Sequence, residues 1–544
     1  MNLEKLKELL NFLNLTEISE ILGQDLLNGL SEIGITITKS SLINMLLSTR
    51  GVSFLLEKNN RKILFSKPDV IGSLGITPQI SKNFINSAWS RNYIKIAEAL
   101  SLETTDLLPN DLNRDKSFIS SAEYPLMPYQ NWMRKRVFDF FIEKENKRAL
   151  LHMPTGAGKT STAMQIIFDQ IRIRSPENTT IIWMAHSDEL CEQAINSFNE
   201  VWPEQKVSPA KIWRAWGGLS DLSDYDASGC NFVVTSFQTL YSWMISNENK
   251  RFTNINRLKR NSNFLVIDEA HLSTAPTYKN VINYVSGVTT KVLGLTATPG
   301  RHSLNDDERN TLELVDFFDD NLIGMTNDDG NEIDDPIDFL QSRGILSTVI
   351  PKKIPGTDVL LSYEEIQACS KQLELPETVL KKLSNDNKRT INIARITLEL
   401  ALRDGKQTIV FCSSKANSLV LAEYLKLNGC SAAAITGDLA MSERHAKIEE
   451  FKQGNLKVIT NYNVLTTGFD APKINAVVIA RPTLSVVLYS QMIGRGLRGK
   501  LFGGTEYTTI VNVEDNITNL PDFKSAFTYF NKFFEEEELV TFEY

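Results

Sequence analysis

The chain is 544 residues long, 42% hydrophobic and 23% charged, with a formal net charge of −8 at pH 7. That length exceeds what one hydrophobic core organises, so several domains are expected, and the composition is that of an ordinary globular protein rather than a disordered or fibrous one. The acidic balance excludes a uniformly basic coat, but not a local groove of positive charge. No run of about 18 or more uncharged apolar residues occurs, so no membrane span is expected. The opening Met1-Asn2-Leu3-Glu4-Lys5 has no basic segment leading into an apolar one, which predicts no secretory signal. Cys191, Cys230, Cys369, Cys412 and Cys430 are odd in number and never form a Cys-x-x-Cys pair. They point to a reducing cytoplasm and away from structural zinc.

From residue 1 to about 121 the pattern is mainly helical, with Leu3, Leu6, Leu10, Leu13, Ile21 and Leu22 at helix-like spacing. Residues 122–303 alternate short apolar runs (Ala149–Leu151, Thr180–Met184, Phe232–Val234, Phe264–Ile267, Val292–Leu295) with helical patterns. The rhythm returns over 389–516 at Thr408–Phe411, Ala432–Ile435, Val458–Ile459, Ala476–Ile479 and Thr509–Val513. Buried strands separated by helices predict an α/β fold with two parallel-sheet lobes. Between them, 304–388 is acidic and turn-rich (Asn305–Glu308, Asp319-Asp320, Asp328–Gly330, Asp334–Pro336) and reads as a linker and excursion. Residues 517–544 read as a helical tail carrying the acidic run Glu535–Glu538.

His152-Met153-Pro154-Thr155-Gly156-Ala157-Gly158-Lys159-Thr160 follows an apolar run and opens an amphipathic helix. Gly156 and Gly158 let backbone N–H groups turn inward around phosphate oxygens, and the helix N-terminus adds partial positive charge there. Lys159 would then reach the β- and γ-phosphates of a nucleotide, while Thr160 would ligate Mg²⁺. Met153 stands where the usual Gly-x-x-x-x-Gly-Lys-Thr loop has its first glycine. Downstream, Asn263–Ile267 is an apolar strand ending in Asp268-Glu269-Ala270-His271. Asp268 at the tip is suited to hold Mg²⁺, Glu269 to polarise an attacking water, and His271 to couple the γ-phosphate to the lobe. Phosphate loops also serve kinases, transporters and GTPases, so the other motifs must discriminate.

Asp268–His271, then Thr296-Ala297-Thr298-Pro299-Gly300-Arg301, then Gln491-Met492-Ile493-Gly494-Arg495-Gly496-Leu497-Arg498 resemble motifs II, III and VI of superfamily 2 helicases. Pro128-Tyr129-Gln130 resembles that family's adenine-reading glutamine element. Ala185–Leu190 resembles motif Ia, Thr235–Leu240 motif Ib, Val410–Ser413 motif IV and Asn463–Asp470 motif V. Within the superfamily the set resembles restriction-enzyme helicase subunits and RadD-like or XPB-like helicases. Asp-Glu-Ala-His, the Thr-Ala-Thr-Pro-Gly-Arg motif and the leading glutamine of motif VI carry that likeness, as does Phe502–Glu506 followed by a strand and Glu514-Asp515-Asn516.

The resemblance implies two tandem RecA-like lobes preceded by the helical domain, with ATP and Mg²⁺ in the cleft between them. It implies ATP binding by Gln130, Thr155, Gly156, Ala157, Gly158, Lys159 and Thr160, with Gly468 and Asp470 near the nucleotide or its coupling network. Arg495 and Arg498 would be arginine fingers beside Lys159, Asp268 and Glu269. His271, Thr296, Thr298 and Gln491 would relay closure, with Arg301 in support. The activity implied is that of a DNA helicase or translocase, DNA being preferred to RNA on resemblance alone, in repair or anti-phage defence. A nucleic-acid-gated clamp or an RNA helicase remains the alternative. The N-terminal domain is left open among docking a protein partner, sensing a DNA end and bracing the first lobe. The basic run Lys250, Arg251, Arg257, Lys259 and Arg260 reads as a solvated loop, with a grip on phosphates as the alternative. Trp202, Trp213 and Trp216 read as packing at a lobe edge, with base stacking as theirs.

Overall fold

The computed structural model describes residues 4–23, 38–49, 52–86, 89–101, 126–143, 147–174, 178–202, 210–217, 222–246, 248–297, 309–333, 336–371, 375–439, 441–466, 471–483 and 485–515. Two parallel sheets organise it. The first joins β1 (Arg148–His152), β2 (Asn178–Ala185), β3 (Ala210–Ala215), β4 (Gly229–Ser236), β5 (Ser262–Ile267), β6 (Lys291–Thr296) and β7 (Leu322–Ile323) in the order β3-β4-β2-β5-β6-β1-β7. The second joins β8 (Thr348–Pro355), β9 (Thr408–Phe411), β10 (Ala432–Ile435), β11 (Val458–Asn461), β12 (Ala476–Ile479) and β13 (Tyr507–Glu514) in the order β10-β11-β9-β12-β13-β8. The inner strands are buried along nearly their whole length. Helices cover both faces of such sheets, which is why these strands read as continuous apolar runs. Two tandem RecA-like α/β lobes preceded by a helical region is therefore the architecture.

Three strands are not evident in the sequence pattern. β3 is short and tryptophan-bearing, β7 has two residues, and β8 alternates exposed and half-buried positions at the sheet's edge. The stretch 304–388, expected to be a linker and excursion, thus supplies a strand to each sheet: β7 pairs with β1 and β8 with β13. Its acidic turns include the loop at Asp328–Gly330, where the Trp132 indole N–H donates to the Asp328 carbonyl at 2.9 Å. Trp202, Trp213 and Trp216 are buried, and Trp213 donates to Asn231 Oδ1 at 2.8 Å, so they pack rather than stack on a ligand. The helical tail assigned to 517–544 lies outside the described residues.

The N-terminal helices between Glu4 and Leu100 share a core of Leu6, Leu9, Leu10, Leu13, Ile18, Phe54, Leu64 and Phe65. That core is completed by Val420, from the second lobe's helix Lys415–Leu427, and the Val52 N–H donates to Glu443 Oε1 at 3.0 Å. The bundle therefore packs against the second lobe through these contacts.

Candidate nucleotide cleft between the lobes

In open parallel sheets, ligands gather at the carboxyl ends of the strands. Here those ends, with the loops after β1 and β5 and the helix Val486–Gly494, line one cleft of about 650 Å³ shared by the two lobes. Serine caps start the helices that border the nucleic-acid-type motifs. Ser187, Ser236, Ser414 and Ser485 each accept a backbone N–H from three residues ahead. Part of what reads as motif Ia and Ib is thus helix initiation, a role worth about 1 kcal/mol each.

The loop from Met153 to Lys159 needs its glycines for two separate reasons. Gly156 and Gly158 both sit in the left-handed region, at φ +85° and +79°. A Cβ on Gly158 would stand 2.2 Å from Gln130 Nε2, and one on Gly156 2.7 Å from Leu346 Cδ2. Met153, the departure from the usual loop, turns its side chain into the core, while its N–H donates to the Thr296 carbonyl at 3.1 Å. Its carbonyl and that of Pro154 accept from Lys159 Nζ at 3.2 and 3.4 Å. A glycine is not required where the residue faces inward. Gln130 is held at both ends, accepting from Met127 N–H at 2.9 Å and donating to the Ala157 carbonyl at 3.2 Å. Its neighbour Tyr129 donates its hydroxyl to the same carbonyl at 2.9 Å, a bracing role that the motif pattern does not signal.

Asp268 caps β5, its N–H bonded to the Met184 carbonyl at 2.9 Å and its Oδ1 accepting from the Glu269 N–H at 3.0 Å. Burial, and then the Glu269 carboxylate beside it, push the Asp268 carboxyl up to about 7, against the pull of Lys159 and Arg495. Burial also lowers the Lys159 ammonium, opposed by Glu269 and Asp268 and reinforced by Arg495. Glu269 occupies left-handed backbone at φ 52°, a strained setting for a non-glycine that costs of order 1–3 kcal/mol. Its Oε2 lies 3.4 Å from Nδ1 of the buried His271. Thr296 ends β6 fully buried, and the neighbouring Ala297 carbonyl lies 3.1 Å from His152 Nε2. Thr155, Thr160, Arg495 and Arg498 all line the cleft, and Gln491 is buried in the helix leading to the arginines. Thr298, Arg301, Gly468 and Asp470 lie outside the described residues.

Two further contacts join the lobes. Arg444, on the second lobe's helix Met441–Gln453, forms an ion pair with Glu189 in the first turn of the helix Asp188–Val201. Gly494 leaves no room for a Cβ, which would fall 2.3 Å from Thr155 Cγ2 in the phosphate loop. The Leu346–Arg498 bridge, with Ser347 Oγ donating to the Arg498 carbonyl at 2.8 Å, ties the stretch 304–388 to the arginine segment.

A phosphate-type loop and a carboxylate pair on one lobe, faced by arginines of a second, define a two-lobed nucleotide-hydrolase architecture. The model of the type III restriction enzyme res subunit matches residues 123–301, and that of the helicase conserved C-terminal domain matches 391–500. The chain is 26% identical over 377 residues to IRC3 of Saccharomyces cerevisiae, named as an ATP-dependent helicase, covering 66% of this chain and 47% of that protein. It is 23% identical over 429 residues to the ATP-dependent DNA helicase uvsW of Enterobacteria phage T4, covering 78% and 76%. It is 26% identical over 388 residues to the type I restriction enzyme EcoAI endonuclease subunit of Escherichia coli, covering 66% and 42%. The chain thus spans about half the length of several curated relatives, 47% for IRC3 and 42% for the EcoAI subunit. In fold it is similar to the DNA-bound type ISP restriction-modification enzyme LlaBIII (TM-score 0.50, 16% identity, 75% of this chain and 30% of that one). It is equally similar to S. cerevisiae Dbp5 bound to RNA and ADP BeF3 (TM-score 0.50, 14% identity, 86% and 94%). The chain thus carries the two domains found in superfamily 2 helicases and is similar to restriction-enzyme helicase subunits.

The tight approach of Gly494 to Thr155 yields an expectation for that hydrolase. Gly494→Val drives the arginine segment off the phosphate loop, and a displacement of about 1 Å at reacting groups costs up to about 10²-fold. Steady-state phosphate release should show kcat/KM for ATP falling by about that factor, with the unfolding midpoint little changed. A variant as active as the parent would mean the lobes do not need this contact.

Proposed function

We propose that the chain is an ATP-driven, DNA-directed helicase or translocase whose hydrolysis is gated by lobe closure. One observation carries the reading. Arg495 of the second lobe lines the same cleft as Lys159 and Asp268 of the first. An arginine so placed neutralises charge developing on a transferring phosphoryl group only when the lobes are together, which ties chemistry to motion.

In this reading Gly156 to Thr160 hold the phosphates and Gln130 the adenine. Mg²⁺ would rest on Thr160 Oγ and Asp268 and supply charge neutralisation at the phosphates. The donor set fits. Among the described residues no group of three or more His, Cys, Asp or Glu side chains could hold a metal alone. Mg²⁺ draws most of its ligands from phosphate and water, so it needs no such cage. Glu269 orients the water, and His271, Thr296, Thr298 and Gln491 pass closure to the strand, with Gly468 and Asp470 beside the nucleotide. The nucleic acid crosses both lobes along the motif Ia, Ib, IV and V elements, contacted mainly at its backbone. Preference for DNA draws support from the Asp-Glu-Ala-His motif, the restriction-type domain match and the likeness to a phage protein named as a DNA helicase. DNA repair or anti-phage defence is the setting we propose on the same restriction-like cast. A reducing, cytoplasmic compartment suits five free, buried cysteines.

The test is phosphate release with no nucleic acid, single-stranded DNA, duplex DNA and RNA, alongside Lys159→Ala and Glu269→Gln. DNA stimulation abolished by both substitutions is expected. Equal rates in every tube would exclude an autonomous motor and favour a partner-gated clamp.

A further inference from the structure

The run Lys250 to Arg260, read in sequence as a solvated loop, is instead the helix Asn249–Asn261, thirteen residues long. It holds Lys250, Arg251, Arg257, Lys259 and Arg260 and no acidic residue, in a chain whose net charge is −8. Asn254, Ile255 and Leu258 bury one side. On the opposite side Lys250, Thr253, Arg257 and Arg260 are all exposed. Their spacing of three, four and three residues is that of one helix face, and it sets them along about 15 Å at 1.5 Å per residue. The remaining two cations lie off this row. Lys259 lies over the Tyr284 ring, 4.3 Å from its centroid, and Arg251 pairs with Glu248 at 3.1 Å. Arg257 is exposed and donates from Nη1 to the Ser223 carbonyl at 3.2 Å. The helix packs on Phe237–Met244, whose first turn is the motif Ib element capped by Ser236.

We infer that the Lys250–Thr253–Arg257–Arg260 face is a second nucleic-acid contact, gripping the phosphate backbone of duplex DNA outside the interlobe cleft. This inference rests on the DNA-directed reading above. A row of three cations with a hydroxyl between them matches a polyanion by charge and reads no base, so it positions the duplex without selecting sequence. Its function is to hold the duplex arm while the cleft works on the strand.

The test is anisotropy of a fluorescein-labelled tailed DNA duplex with the full chain. The variants are Lys250→Gln/Arg257→Gln/Arg260→Gln and the charge-keeping Arg257→Lys/Arg260→Lys. Between about 50 and about 200 mM salt, loss of three phosphate contacts should flatten the log–log salt slope by about 2.7. At the lower salt it should weaken binding about 10-fold or more. The charge-keeping double should bind as the parent does, and both variants should match its unfolding midpoint. An unchanged slope in the triple variant, or a loss in the charge-keeping one, overturns the inference. So does a defect confined to phosphatidylserine vesicles with DNA binding intact. A parent protein that binds no nucleic acid at all would instead sink the motor reading itself.

Discussion

Replacing Arg495 with alanine should lower kcat for ATP hydrolysis by about 10³-fold or more while leaving ATP affinity nearly intact, since an arginine finger contributes about 10³–10⁵. The two arginines of the segment are not equivalent. Arg495 is the one whose charge bears on Lys159 and Asp268. Arg498 is anchored through its backbone, its carbonyl accepting from Ser347 Oγ at 2.8 Å and from the Thr505 N–H at 3.0 Å, bonds that do not depend on its side chain. Arg498→Ala keeps those backbone bonds, so it should show a smaller catalytic loss than Arg495→Ala, with the unfolding midpoint unchanged in both. Arg495→Lys should rescue little, because a point ammonium cannot replace a planar fork of donors. Single-turnover hydrolysis with nucleotide binding measured separately distinguishes these outcomes. A drop of less than about tenfold for Arg495→Ala would remove the arginine finger from the mechanism.

The second large effect concerns stability. Arg389 and Asp515 are fully buried and bidentate, Nε to Oδ1 at 2.6 Å and Nη2 to Oδ2 at 2.7 Å. Arg389 Nη2 also donates to the Ala480 carbonyl at 2.7 Å, and Nη1 to Ser413 Oγ at 3.3 Å. The guanidinium thus ties the strand end at β13 to the loops after β12 and β9, at the carboxyl edge of the second sheet. Removing one partner strands a buried charge, which costs about 3–5 kcal/mol. Arg389→Met should lower the denaturation midpoint of the second lobe accordingly. Arg389→Met with Asp515→Leu should recover most of that loss, since an apolar pair of similar volume is often neutral. Equal loss in the single and double variants would mean that packing, not the uncompensated charge, sets the cost.

Much of the molecule is legible in the amino-acid sequence alone. The strands of both sheet centres are buried on both faces, so their apolar runs announce themselves without help from neighbours. The phosphate loop and the Asp268-Glu269 tip are readable for a related reason. Their chemistry demands particular residues at particular spacings, and local backbone geometry enforces them, as the positive φ of Gly156, Gly158 and Glu269 illustrates. Order along the chain then suffices to infer two lobes.

What tertiary structure alone decides lies at edges and between elements. β3, β7 and β8 are edge strands whose partners supply the pairing, so their own pattern is weak. The stretch 304–388 reads as polar and acidic because most of it meets water, yet Leu346 comes up against Gly156 and Ser347 against Arg498. Nothing local to Arg444 marks it as the partner of Glu189, 255 residues away. The docking of the N-terminal helices on Val420 is equally non-local. Pairings of that kind depend on how two folded surfaces fit, whereas a loop that must cradle phosphate carries its requirement in its own few residues.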